Sequence, residues 1–225
     1  MKKIIAGTTL LSLAFLSAQA QITAGTKSVS GSIGYYSSKS ETSVAPPSSN
    51  TNSNSNTSFN LTPTISYFVA ENLALGLSAS LSIGQQQYTQ YYSDYTGSRY
   101  ANIEEKSRGF SIAPVARYYK FLGDKVAIYG QLSAGYSNDK NVSKSSEAGF
   151  NSTIRHGNGY GAALSPGIVF FPTEKIGLEV YLGGLGYSHA STKLEGFDYK
   201  TVDNHFNFGF GISNLNFGAA IYLGR

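Results

Sequence analysis

The residues that could do chemistry are few. The chain has three histidines, His156, His189 and His205, with Asp198 and Asp203 close by and many serines around them. From such residues a Ser–His–acid hydrolytic centre or a metal site could be drawn. The spacing supports neither. No His-x-x-x-His pair occurs, so no two imidazoles are set one helical turn apart for a metal. The chain contains no cysteine, which excludes a thiolate nucleophile, a thiolate metal site and a disulfide framework. Serine is so common that its nearness to a histidine discriminates nothing. The residues therefore lead to no catalytic centre, no metal site and no cofactor. Two other charges stand out. Arg117 and Glu179 each interrupt an alternating, almost uncharged segment, on the face opposite its apolar side chains. Unpaired charges there would be costly, so they are expected to meet in a structural polar network with Gln131, Tyr129 and Tyr181.

The elements that must position these groups read as strands. Helical periodicity is weak throughout, and alternation of period two recurs. Eight apolar faces emerge, in Val29–Tyr35, Phe59–Tyr67, Leu73–Ile83, Phe110–Tyr118, Val126–Tyr136, Tyr160–Phe170, Ile176–Leu182 and Leu215–Leu223. The connections alternate in length. Tight turns fall at Ala70–Asn72, Phe121–Asp124 and Pro172–Glu174, and long polar loops at Ser37–Thr57, Gln85–Arg108, Ser137–Arg155 and Ser188–Asp203. Within the first loop, Ser48–Ser58 is a Ser/Asn/Thr tract expected to be flexible. The tyrosines of the second (Tyr88, Tyr91, Tyr92, Tyr95, Tyr100) either form a sticky surface or extend the adjoining strands. In the last strand, Phe206–Ile212 alternates in one phase and Leu215–Leu223 in the other, so a bulge or a strand boundary is expected near Ser213-Asn214.

A hairpin repeats with a period of about 51 residues, carried by Pro63, Pro114 and Pro166. Each proline is followed by an aromatic pair: Tyr67-Phe68, Tyr118-Tyr119 and Phe170-Phe171. These six residues are expected to form an aromatic girdle at a membrane–water boundary. Prolines inside strands cannot donate to a ladder, so bulges or locally lost hydrogen bonds are expected there.

The first 20 residues address the chain. Lys2 and Lys3 precede an apolar stretch from Ile4 to Leu16, and Ser17-Ala18-Gln19-Ala20 is a small-x-small cleavage pattern. The segment reads as a secretory signal peptide, too short for a membrane-spanning helix. Residues 21–225 are then one domain. Without Lys2 and Lys3 the balance is 15 basic against 13 acidic residues, which gives no reason to expect nucleic-acid binding. Charged residues make up 13% of the chain, against roughly 25% in ordinary globular domains. The face opposite the apolar one is mainly Ser, Gly, Thr, Ala and Asn. An outer surface in water would need charges, whereas a narrow barrel interior needs small groups. The apolar face is therefore expected to meet lipid.

The C-terminal run Asn216-Phe217-Gly218-Ala219-Ala220-Ile221-Tyr222-Leu223 resembles the assembly signal of outer-membrane barrels, with Asn216, Gly218, Ile221 and Leu223 in its key positions; here Gly224 and Arg225 follow it and the usual terminal Phe is missing. With the Pro-x-x-x-aromatic-aromatic hairpins, Arg117-Tyr118-Tyr119, Gly135-Tyr136-Ser137 and Gly186-Tyr187-Ser188, the chain resembles the outer-membrane β-barrel domain family, of the small eight-stranded OmpA/OmpX kind. The resemblance implies an all-β, antiparallel, up-and-down transmembrane barrel of eight strands with short periplasmic turns and long extracellular loops. It implies outer-membrane lipid and the barrel-assembly machinery as partners, and outer loops open to an extracellular partner. It implies no single activity. The expected role is a non-enzymatic structural or surface-interaction barrel that is not an open pore. The alternatives are a lipid-modifying enzyme with a rim active site and a soluble periplasmic ligand-binding β-barrel.

Overall fold

The computed structural model describes residues 21–43, 51–94, 97–146, 152–181, 183–210 and 216–225. Ten antiparallel strands build eight staves. The first six are β1 (Lys27–Ser43), β2 (Thr51–Ala70), β3 (Leu73–Asp94), β4 (Gly97–Phe121), β5 (Val126–Ser145) and β6 (Thr153–Thr173). The seventh stave is β7 (Ile176–Tyr181) with β8 (Gly183–Leu194), and the eighth is β9 (Lys200–Phe210) with β10 (Asn216–Leu223). Each stave pairs with the next, and β10 returns to β1 through Lys27↔Leu223 to Gly31↔Ala219. Above Gly31, the described part of β1 keeps its ladder with β2, and β9 keeps its ladder with β8.

Alternation sorts the side chains. Leu75, Leu77, Leu81 and Ile83 of β3, Ile128 and Leu132 of β5 and Leu164 and Ile168 of β6 are exposed on the outer wall. Their neighbours Ala74, Val115, Tyr129 and Val169 are buried inside. This is the reverse of a water-soluble barrel, and the outward apolar runs of β2 to β6 are close to the 9–11 residues that a tilted strand needs to cross a bilayer. Two tight turns connect neighbouring staves at residues 71–72 and 174–175, and 122–125 make the third.

The aromatic pairs are split by the same rule, which corrects the expected girdle. Tyr67, Tyr118 and Phe170 face outward at 49%, 59% and 44% exposure, while Phe68, Tyr119 and Phe171 are at 0%, 2% and 2%. Consecutive residues in a strand point to opposite faces, so an aromatic doublet gives the boundary only one ring. The second ring enters the interior.

Where they are described, the long connections are mostly ladder. The stretch 37–57 is largely ladder, with Ser37↔Thr57 through Ser43↔Thr51, so the Ser/Asn/Thr tract from Thr51 to Ser58 is strand rather than flexible chain. A backbone ladder needs no apolar side chain, and neighbouring staves supply its partners on both sides. Likewise 85–94 pairs with 97–106, and 137–143 with 153–159. In 188–203, Ser188–Lys193 pairs with Lys200–His205. The tyrosine-bearing segment extends β3 and β4; Tyr95 lies outside the described residues. At 25 residues, β4 represents about 80 Å of extended chain. The staves thus rise beyond the apolar band as polar hairpin arms. There Lys39 Nζ lies 2.6 Å from a Glu41 carboxylate oxygen, and this hydrogen-bonded pair holds the Glu41 carboxyl below its ordinary range.

The prolines act differently from one another. At Pro63 and Pro114 ladder pairs are missing on one side, and the register continues unshifted. Near Pro166 the pairs Gly167↔Tyr181 and Leu164↔Leu185 leave two residues on β6 against three on the seventh stave, an extra residue of the β-bulge kind. The phase break expected at 213–214 lies outside the described residues. On either side of 211–215 the outward residues change from Phe206, Phe208 and Phe210 to Phe217, Ile221 and Leu223.

A lipid-facing barrel should resist SDS until heated. Unheated and boiled samples of the extracted protein should migrate at different positions on a gel, and Leu77→Arg on the outer wall should cost about 2–4 kcal/mol in urea unfolding from vesicles. A single band position in both lanes would be incompatible with this architecture.

Candidate functional site in the barrel interior

The inward residues form three layers. The lowest is an aromatic plug. Phe68, Tyr119, Phe121, Phe171 and Tyr222 are buried together with Ala74, Ala127 and Val169. Ring centroids lie 5.6 Å apart for Phe68 and Tyr119, 5.5 Å for Phe121 and Phe171, and 5.3 Å for Phe171 and Tyr222. The N-terminal segment closes the base, with Ile22 fully buried in the plug. Its amide donates to Asn72 Oδ1 at 3.0 Å, and the Asn72 amide donates back to the Ile22 carbonyl at 3.0 Å. Asn72 does this from the left-handed region (φ 60°), which a short amide side chain tolerates better than most. Arg225 lays its guanidinium 4.1 Å from the Phe171 ring centroid, outside the plug.

The middle layer is charged. Arg117 on β4 and Glu179 on β7 face each other across the lumen, with Arg117 Nη1 donating to Glu179 Oε1 at 2.7 Å. Arg117 Nε and Nη2 donate to Gln131 Oε1 at 3.0 and 2.6 Å. Nη1 also donates to the Tyr119 hydroxyl at 3.0 Å. The second Glu179 oxygen accepts from the Tyr181 hydroxyl at 2.8 Å. Tyr119 and Tyr222 hydroxyls lie 3.2 Å apart, tying the plug to this layer. Both charged side chains are almost wholly buried.

Register explains the assembly. Arg117 is the ladder partner of Gln131, and Tyr119 of Tyr129, so β4 and β5 deliver four of the groups side by side. Tyr129 contributes its ring face, 4.5 Å beneath the Arg117 guanidinium, while its hydroxyl has no hydrogen-bond partner among the described residues. Gly167 leaves the space the Tyr129 ring occupies: a Cβ there would overlap the ring. Tyr119 and Tyr222 are the members that sequence reading missed. Parity held the signal, because Tyr119 shares its face of β4 with Arg117.

Above the charged layer lies a polar cavity of about 750 Å³, lined by Thr62, Thr64, Ser78, Ser165, Asn207 and Asn216 among others. Hydroxyls pair across β2 and β3, Thr64 with Ser78 at 3.0 Å and Thr62 with Ser80 at 3.2 Å. Such a space suits water.

The histidines do not converge. His156 lies 3.2 Å from Glu195, and His189 is 2.8 Å from Asn204 Oδ1 on the outer wall. His205 is the ladder partner of Ser188, one position out of phase with His189 and so on the other side of the wall. The four assembly-signal residues lie on β10, the strand between β1 and β7. Gly218 also has a packing reason to be glycine: a Cβ there would lie 2.9 Å from the Gly31 carbonyl oxygen.

No protein-family model matches the chain, and neither does any curated protein. Among solved structures it is similar to a major outer membrane protein from Thermus thermophilus, at 13% identity and TM-score 0.45 over 89% of this chain and 100% of that one. It is also similar to Ail, the attachment invasion locus protein of Yersinia pestis, at 19% identity and TM-score 0.32 over the same shares.

Breaking the buried pair from one side should be worse than removing it whole. Glu179→Leu should cost about 3–5 kcal/mol in urea unfolding from vesicles, because it strands the Arg117 charge, and the double variant Arg117→Met/Glu179→Leu should recover much of that loss. Strict additivity of the two single changes would show that they do not interact.

Proposed function

We propose that this chain is a non-catalytic integral protein of the bacterial outer membrane, exported by the leader in residues 1–20 and folded as a plugged barrel. Its role is structural: it anchors hairpin arms at the cell surface, where they are offered to an extracellular partner. The observation that carries this reading is the pairing of an apolar outer wall with a lumen filled from side to side. Phe68, Tyr119 and Tyr222 are buried at the base, and the Arg117–Glu179 bridge crosses directly above them. A solute path would need both layers removed. The arms supply the surface. Their residues are mainly Ser, Asn, Thr, Gln and Lys, and they remain ladder-paired beyond the apolar band. In biogenesis β10 is the segment that the assembly machinery would read, since it is the strand that joins the two ends of the sheet.

Planar-bilayer recording tests the plugged lumen. The purified barrel should show no steady single-channel conductance, since an eight-stranded interior is filled by side chains. Discrete, long-lived current steps from heat-shiftable protein would refute it.

A further inference from the structure

Ladder register aligns residues into rows across the outer wall of β4, β5, β6, β8 and β9. One row reads Ile112, Tyr136, Tyr160, His189 and Asn204. Four residues farther from the base along each strand, another reads Arg108, Lys140, His156, Lys193 and Lys200. All five of these basic residues are exposed and share the face that is apolar lower down. Neighbouring strands are about 4.8 Å apart, so five basic side chains stand abreast over about 20 Å.

Like charges placed directly opposite each other destabilise a sheet. Folding therefore gives no reason for this row. Among the described residues the carboxylate paired with it is Glu195, at His156. The row is also one-sided: continuing from Arg108, the partners are Ile83, Phe59 and Tyr35, which carry no charge.

Between the basic row and the apolar band lie flat rings and amides. Tyr160 and His189 stack with centroids 4.7 Å apart. Asn158 accepts from Tyr136 at 2.7 Å and from Asn138 at 2.8 Å, and Asn204 accepts from Tyr187 at 3.0 Å. Such a zone of partly exposed rings with polar tips and amides matches the mixed apolar and hydroxyl surface of a sugar. Read upward, the wall is apolar, then aromatic and amide, then cationic. An occupant matching all three zones has hydrocarbon tails, a saccharide and anionic groups, in that order.

We propose that this wall binds the phosphorylated saccharide head of a membrane glycolipid, with its acyl chains along the apolar band and its phosphates on the row of Arg108, Lys140, Lys193 and Lys200. The site rests on the membrane-barrel reading above, because the order of zones has meaning only with hydrocarbon beneath. The lipid, rather than a free polyanion, is the occupant because the row lies on the side wall, on the same outward face as the apolar band and separated from it by the ring and amide rows.

The test uses purified full-length barrel in neutral detergent, a bisphosphorylated glucosamine-disaccharide lipid and its dephosphorylated counterpart, with retained lipid counted by native mass spectrometry. The wild type should hold the phosphorylated lipid, and Lys140→Gln/Lys193→Gln/Lys200→Gln should hold it about a hundredfold more weakly while keeping the heat-dependent gel shift. Equal retention of the two lipids, or equal retention by wild type and variant, would overturn the proposal. Complete displacement by a soluble sulfated polysaccharide would overturn it in favour of a free-polyanion site. A wild type without the gel shift would overturn the barrel reading itself, and the lipid site with it.

Discussion

Backbone hydrogen bonding inside hydrocarbon is the constraint on which the molecule depends. No water is available there to satisfy an N–H or C=O, so every such group must find a partner in the sheet itself. A ring of staves achieves this, with β10 pairing both β1 and β7. Once the ring is fixed, the outer wall must be apolar and the inner wall must be small or mutually satisfied. The three strand prolines mark where the constraint is locally relaxed. Two leave gaps without slip, and the third faces an extra residue on the neighbouring stave.

The interior follows from the same geometry. A narrow barrel brings opposite walls within reach of long side chains, so Arg117 on β4 can meet Glu179 on β7. Neither charge would be tolerable alone at such burial. Together with Gln131, Tyr119 and Tyr181 they form a layer in which the carboxylate and guanidinium are both hydrogen-bonded. Such a layer is not itself a strong source of stability, because desolvation offsets much of the attraction. What it does is satisfy both charges where the strand pairing has placed them in reach of each other. The aromatic plug beneath it supplies the apolar burial, and the Ile22–Asn72 contact ties the first described residues to the first tight turn.

The upper half of the structure follows a different logic. Beyond the apolar band the arms are in water, and their ladders continue without needing apolar side chains. Composition therefore stops predicting order there, which is why a Ser/Asn/Thr tract can be strand. The arms also draw polar and basic residues into aligned rows. Sequence distance hides these rows: Arg108 and Lys200 are far apart in the chain yet lie on one line of the wall.

Alternation along single segments determined a great deal. It set the strand positions and put Arg117 and Glu179 on the face opposite the apolar one, and the small, almost uncharged composition of that face placed it inside. Those features are local, because a side chain's direction in a strand depends only on its parity. Parity would also have divided each aromatic pair between two faces, but reading the pairs as units concealed it. The tertiary structure alone decided what meets across the ring. It joined Tyr119 and Tyr222, put the Tyr129 ring beneath Arg117, folded Ile22 into the base and aligned five basic residues from five strands. Each depends on register, and register is fixed jointly by all the staves, the bulge opposite Pro166 included. A single segment carries its own period but not its offset from a neighbour.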